Sequence, residues 1–308
     1  MQLNLSKLQH TRVLCSGSNK VNNADEGLRK GAFNVLLDIV RLNIARYRTN
    51  PIIIVPPLVV LVFELVVVPL MGIPAADASG PELESYAFIG FGALFLSMAI
   101  SFLALVGQAS MASVVVLGGK ASLRDWVNGI RKHSPRMLGV YFIYLGMMVL
   151  SFVPITVMFW YAMLPWLRLQ IGASGPVEPL SPPFMSLPIG IAISWTTLIL
   201  VSVITAVLYM WLAPVFFEDT DVFKSVGAGN KALRASGSTF LGFIALFIAV
   251  SGVANLIENL PVYLGATIQQ TYGSGYLAPA HVASQVIKTT FSPLWVLVAL
   301  TIYRGGPR

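Results

Sequence analysis

The chain of 308 residues is 56% hydrophobic and only 11% charged, with a formal net charge of +7. An ordinary soluble domain carries about 25% charged residues, so this composition leaves too few charges to cover its apolar surface in water. Several runs exceed the ~18 apolar residues that cross a ~30 Å hydrocarbon core as a helix, and they lack the alternation of barrel strands. Backbone groups in lipid must bond within their own segment, so the expected fold is all-α: a polytopic transmembrane helical bundle.

Residues 1–27 read as a flexible cytoplasmic tail holding the single Cys15, which has no second cysteine for an intramolecular disulfide. No apolar run there has the form of a secretory leader, so the first span is expected to remain as an anchor. Residues 28–308 read as one six-helix membrane domain, with spans at about 51–72, 86–118, 137–164, 187–215, 239–260 and 282–303.

An amphipathic segment precedes every second span. Before the first, Phe33, Leu36, Leu37, Val40, Ile44 and Tyr47 recur at 3 and 4 residue spacing, with Arg41 and Arg48 off that face. Before the third, Ser122 with Asp125 three residues on reads as an N-cap, Leu123, Trp126, Val127 and Ile130 form the apolar face, and Pro135 is expected to stop the helix. Before the fifth, Thr220 or Asp221 caps, Val222, Phe223, Val226 and Leu233 form the face, and Gly237 ends it. The closing strings ARYRTNP, RKHSP and RASGS are related, so the chain reads as three copies of one unit: interfacial helix, outward span, return span.

Every Lys and Arg except Arg168 and Lys288 falls before span one, between spans two and three, between spans four and five, or after span six. Basic residues are retained on the cytoplasmic side, so a multi-pass protein of the cell (cytoplasmic) membrane is expected, with both termini cytoplasmic. Arg41, Arg46, Arg48, Arg131, Lys132, Arg136, Lys231 and Arg234 are placed to meet anionic lipid headgroups, at about 1 kcal/mol each near the surface, or a membrane-protein partner. Nucleic acid is not an expected partner.

Reactive groups do not converge. His10, His133 and His281 fall on two membrane faces, and HExxH, GxSxG and Walker strings are absent, so no catalytic residue, metal or cofactor is expected. The string Gly227-Ala-Gly229 matches GxGxxA but lacks the preceding strand that a nucleotide fingerprint requires. Glu218, Asp219 and Asp221 read as complements to the N-terminal end of the helix that follows. Asn255, Glu258 and Asn259 read as polar caps at the far end of span five.

Within the spans, small and polar residues form stripes. At 100° per residue Gly90, Ser97, Ser101 and Gln108 share one face of span two, Ser194, Ser202, Thr205 and Tyr209 one face of span four, and Gly242, Ala245, Ala249 and Gly252 one face of span five. Close helix packing explains such stripes, and a polar permeation path made from the first two is the alternative. Glu64 lies about 8 residues, roughly 12 Å, inside span one. Lys288 lies at a similar depth in span six, and the expectation is a Glu64 to Lys288 ion pair with Ser97 donating a hydrogen bond.

The stretch VFFEDTDVFKSVGAGNKALRASGSTFLGF, an acidic turn, a short basic helix and an aliphatic span, resembles a broad prokaryotic group of six-span proteins, as does the closing LVALTIYRGGPR. A better known relative in that group is the membrane domain attached to some glycerophosphodiester phosphodiesterases. The resemblance implies the six-span fold over about residues 30–305 and no phosphodiesterase chemistry, because the catalytic barrel is not in this chain. The functional expectation is a membrane scaffold or accessory subunit that binds lipid headgroups or a partner through its basic helices. The alternative is a transporter or channel for a small solute or lipid. A cavity open to one side and lined by Ser97, Gln108, Ser202 and Thr205 would distinguish the second from the first.

Overall fold

The structure, a computed structural model, describes residues 31–67, 80–172, 187–263 and 277–305; the expected tail lies outside them, as do residues 68–72 of the first expected span. Among the described residues eight α-helices follow one another: α1 Ala32–Thr49, α2 Val55–Val62, α3 Gly80–Val116, α4 Leu123–Gly172, α5 Leu187–Phe217, α6 Val222–Ala235, α7 Gly237–Tyr263 and α8 Leu277–Tyr303. A short 3-10 turn, Pro51–Ile54, leads into α2, which widens into a π turn at Phe63–Val67. No strand occurs among the described residues, and the fold is an all-α bundle.

Among the described residues five segments are long and apolar enough to cross a membrane: Phe95–Val116, Leu123–Val157, Ala192–Phe217, Gly237–Glu258 and Pro279–Tyr303. A sixth results if α1 and residues 51–66, which meet at 95°, are counted together. The corner has a local cause. Pro51 has no backbone N–H and disfavours helical geometry in the residue before it, and Asn50 sits at φ −133°, ψ 58°. The Asn50 side chain then fixes the corner in place, donating to the Arg46 carbonyl at 3.0 Å and accepting from the Ala121 N–H at 3.2 Å.

The interfacial helices form where periodicity places them, but their buried faces are rotated from those expected. On α1 the buried line is Leu36, Ile39 and Asn43, whereas Phe33 and Ile44 are exposed. On the first turns of α4, Trp126 and Ile130 lie against the core while Leu123 and Val127 point away. On α6, Val222, Val226 and Leu233 pack inward and Phe223 is 85% exposed. Each helix thus has one apolar line toward the bundle and a second toward its surroundings, the pattern of a helix lying in the membrane interface.

Capping and stop signals had mixed outcomes. Ser122 and Asp125 form a reciprocal capping box, the Ser122 N–H donating to Asp125 at 2.8 Å and the Asp125 N–H donating to the Ser122 hydroxyl at 3.3 Å. Pro135 does not stop its helix, since α4 runs unbroken from Leu123 to Gly172. The carbonyl that Pro135 leaves unpaired belongs to Arg131, which is exposed, so water or headgroups can satisfy it. Asp221 is the N-cap residue of α6 but makes no side-chain capping bond and pairs with Lys224 at 3.6 Å instead. The break before α7 falls at Ser236, and Gly237 opens α7 rather than closing α6.

The three units close on one another. The start of α4 lies on α3, where the Ser110 hydroxyl donates to the Asp125 carbonyl at 3.0 Å. α6 lies on α5, where the Trp211 indole donates to Asn230 at 2.8 Å and Ser225 donates to the Trp211 carbonyl. α1 lies on α7 and α8, and Arg46 donates to Thr301 at 3.1 Å. Each interfacial helix therefore docks on the return span of the unit before it, and the first docks on the last.

Close approach at these docks requires glycine. A methyl group at Gly107 would overlap the Trp126 indole, one at Gly129 would overlap Ser110, and one at Gly229 would press on Trp211 and the Met210 carbonyl. Gly107→Ala or Gly129→Ala should cost about 1–3 kcal/mol, the usual penalty of overpacking. Gly146→Ala, at a position with open space around it, should be neutral or stabilise by up to about 1 kcal/mol. Thermal denaturation of the purified variants in one detergent checks both, and an equal effect at Gly146 and Gly107 would count against the docking geometry.

Candidate functional site: an intramembrane cavity

At the basic end the bundle is densely packed. Val106, Ala109, Met111 and Ala112 on α3, Ala206 to Ala213 on α5, and Leu294 to Leu300 on α8 supply the core, assisted by Phe243 and Phe247 of α7. Toward the other end, α2, α3, α5, α7 and α8 separate around a cavity of about 660 Å³. That volume lies within the range of about 300–1,000 Å³ common for small-molecule sites.

The lining joins residues from distant parts of the chain. Glu64 in the π turn after α2, Ser101 and Gln108 on α3, Ser194, Ser202, Thr205 and Tyr209 on α5, and Lys288 on α8 all border it. Two of the four residues of the first polar stripe, all four of the second and both intramembrane charges therefore border one space. Ser97 does not line it and makes no hydrogen bond to Glu64. The third stripe divides: Gly252 is buried against Trp195 and Gly242 lies close to Leu36, while Ala245 and Ala249 are exposed and Phe240, Phe243, Phe247 and Ala254 supply the rest of the buried side of α7.

Burial grades the cavity from floor to mouth. Gln108, Ser202, Tyr209 and Trp295 are all buried and form the deep end. Glu64, Ser194, Asn255 and Gln285 are partly exposed and Lys288 is exposed, so the cavity widens away from the basic end. Aromatic rings shape the floor: Phe247 meets Trp295 edge-on at 5.3 Å and Phe291 stacks on Trp295 at 5.9 Å.

Several lining hydroxyls and amides are tied across helices. Tyr144 and Thr205 share a hydrogen bond at 3.3 Å, Asn255 donates to Ser194 at 3.2 Å, and Ser292 donates to the Gln108 carbonyl oxygen at 3.1 Å. Gln108 is only 2% exposed, yet its amide nitrogen has no partner. Whichever way the amide is turned, Ser292 meets one end of it and leaves the other unpaired. An unpaired buried amide costs about 1–3 kcal/mol, so Gln108 presents an unmet hydrogen-bonding group to the cavity.

Lys288 does not pair with Glu64. Its ammonium donates to Glu258 at 2.8 Å, and the same carboxylate accepts from Ser284 at 2.8 Å and contacts the His281 ring at 3.1 Å. Glu258 is therefore the acceptor of a three-residue face of α8 and not a helix-end cap. The shared face of His281, Ser284 and Lys288 is legible in their 3 and 4 residue spacing, but which acid that face meets depends on how α7 and α8 are turned. Sequence reading also missed Ser251, Gln285, Ser292 and Trp295, which border the cavity from α7 and α8. Their stripe is diluted by apolar neighbours and gives no clean polar face.

Charge exchange separates the two pairings. Reversing Glu258 alone or Lys288 alone should destabilise by about 1 kcal/mol, the value for a partly exposed charge pair after solvent screening. The double exchange Glu258→Lys with Lys288→Glu should recover thermal stability, and Glu64→Lys with Lys288→Glu should not. Recovery in the second pair only would restore the original pairing.

The eight basic candidates divide. Arg41, Arg48, Arg131, Lys132, Lys231 and Arg234 are exposed at one end of the bundle, while Arg46 and Arg136 are partly buried. Arg46 donates to Asn43 and Thr301, and Arg136 pairs with Asp219, which Lys132 also approaches at 3.7 Å. The acidic run beside α6 does not act as a group. Glu218 accepts from the Tyr303 hydroxyl, Asp219 takes Arg136, and Asp221 takes Lys224, so the three carboxylates diverge to separate partners. Among the described residues no three acidic, His or Cys side chains gather as metal ligands.

Desolvation pushes the Asp219 carboxyl up, but the Arg136 hydrogen bond and the charges of Lys132, Arg136 and His133 outweigh it and hold it below the usual carboxylate range. A depressed acid contributes stability that is present above its unfolded-state value and is lost as pH falls through the folded one. Asp219→Asn should therefore lower thermal stability at neutral pH and match the parent protein in strong acid. A difference that persists unchanged at low pH would count against a stabilising Asp219–Arg136 pair. No family model matches the chain, and no curated protein or solved structure matches it.

Proposed function

We propose that this multi-pass membrane protein is a carrier for a small amphipathic molecule, which it binds in the cavity between α2, α3, α5, α7 and α8. One observation carries the reading: residues of two polar helix faces and both intramembrane charges, separated by up to 224 positions in sequence, border a single space. Packing alone does not call for this. Helices that only need to associate in lipid bring small and polar residues into direct contact, whereas here those residues also border an open volume.

The densely packed core at the basic end, beyond Gln108 and Tyr209, favours a carrier over a channel. With the basic end cytoplasmic, as the positive-inside rule places it, the cavity faces the opposite side of the membrane. A second reading keeps one specific support: six of the eight basic candidates remain exposed on the interfacial helices, as a scaffold that holds anionic lipid or a partner would require.

Purification in native membrane discs followed by mass spectrometry tests the choice. A small molecule should co-purify with the parent protein and be lost from Ser251→Phe, which fills the cavity from α7. A stable protein partner with no cavity-dependent small molecule would favour the scaffold.

A further inference from the structure

Among the described residues the cavity lining carries one acid, Glu64, and one base, Lys288, and that base is already paired with Glu258, an acid outside the lining. Glu64 is the sole acid in the lining, and no hydrogen bond or ion pair reaches it among the described residues. His281 and Lys288 lie within electrostatic reach of Glu64, but both contact Glu258. A carboxylate in such surroundings is costly unless it is neutralised, hydrated or met by a cation.

The floor adds two requirements. Phe247, Phe291 and Trp295 offer apolar faces, and the unpaired Gln108 amide asks for a hydrogen-bonding group deep in the site. From the charge at the mouth and the aromatic floor, we infer that the cavity takes an organic monocation: an amine or ammonium group set against Glu64, with an apolar body reaching toward Trp295. Glu258 acts as a positioning residue by keeping Lys288 away from Glu64, so that the lysine does not occupy the cation's place. This inference rests on the cavity being a binding site, and it adds the charge class of the occupant.

Three probes of one shape separate the two ideas: 4-phenylbutylammonium, 4-phenylbutanol and 4-phenylbutanoate, titrated against the full chain in discs of zwitterionic lipid with empty discs as the blank. The ammonium should bind about tenfold or more tighter than the alcohol, as a charge-assisted contact implies, and the carboxylate should bind weakest. Glu64→Gln should erase the advantage of the ammonium over the alcohol, whereas Lys288→Met should increase it by removing the competing cation. Glu258→Gln, which frees Lys288 to turn toward Glu64, should reduce it without altering a lining residue. Ser251→Phe should weaken all three probes.

Tightest binding by the carboxylate, or an unchanged ammonium advantage in both Glu64→Gln and Lys288→Met, would overturn the charge assignment while leaving the cavity as a binding site. Indifference of all three probes to Ser251→Phe would overturn the cavity reading and this inference with it. Should Glu64→Gln fail to fold, Lys288→Met and Glu258→Gln still decide, because they are expected to shift the ratio in opposite directions.

Discussion

Close approach of helices at the basic end is the constraint on which the rest of the structure depends. Lipid offers no hydrophobic drive for helices to associate, so contact there relies on small residues and on hydrogen bonds across the interface. Gly107, Gly129 and Gly229 permit it, and Ser110, Ser225 and Asn50 lock it with bonds to neighbouring backbone or side chains. Toward the other end the same helices diverge around the cavity. The cavity is the space that this divergence leaves.

The same constraint explains why polar groups are tolerated halfway across an apolar bundle. Gln108, Ser202 and Thr205 sit where the helices have begun to separate, so they face one another and the cavity rather than hydrocarbon. The interfacial helices extend the logic outward. By docking on the preceding return span, each brings its buried line against the core and turns its second apolar line, marked by Phe33, Val127 and Phe223, toward the surroundings. The basic residues between those lines can then remain exposed, except where Arg46 and Arg136 have been drawn into internal bonds.

The charges at the opposite end follow a different rule, that of partner choice. Three donors on one face of α8 converge on Glu258, and Lys288 is thereby held in an arrangement that leaves Glu64 to the cavity. A lysine and two carboxylates within reach of one another admit two pairings. Which of them forms depends on helix rotation and tilt, and a difference of a few ångströms is enough to select it, because a charge-assisted hydrogen bond needs its atoms within about 3 Å.

Composition and periodicity by themselves determined the helical membrane class, the position of the interfacial helices, the gathering of basic residues at one end, and the faces of α3 and α5 that would turn inward. These are local properties: a helix repeats every 3.6 residues whatever surrounds it, so the residues that share a face are written in the spacing. The tertiary structure alone decided that Ser101, Gln108, Ser202 and Thr205 border an open space. It also decided that Lys288 belongs to Glu258, that α4 runs through Pro135, and that the apolar faces of α1 and α6 are divided between bundle and surroundings. Each of these depends on how far apart two helices stand and how each is turned, and neither quantity is encoded within one helix.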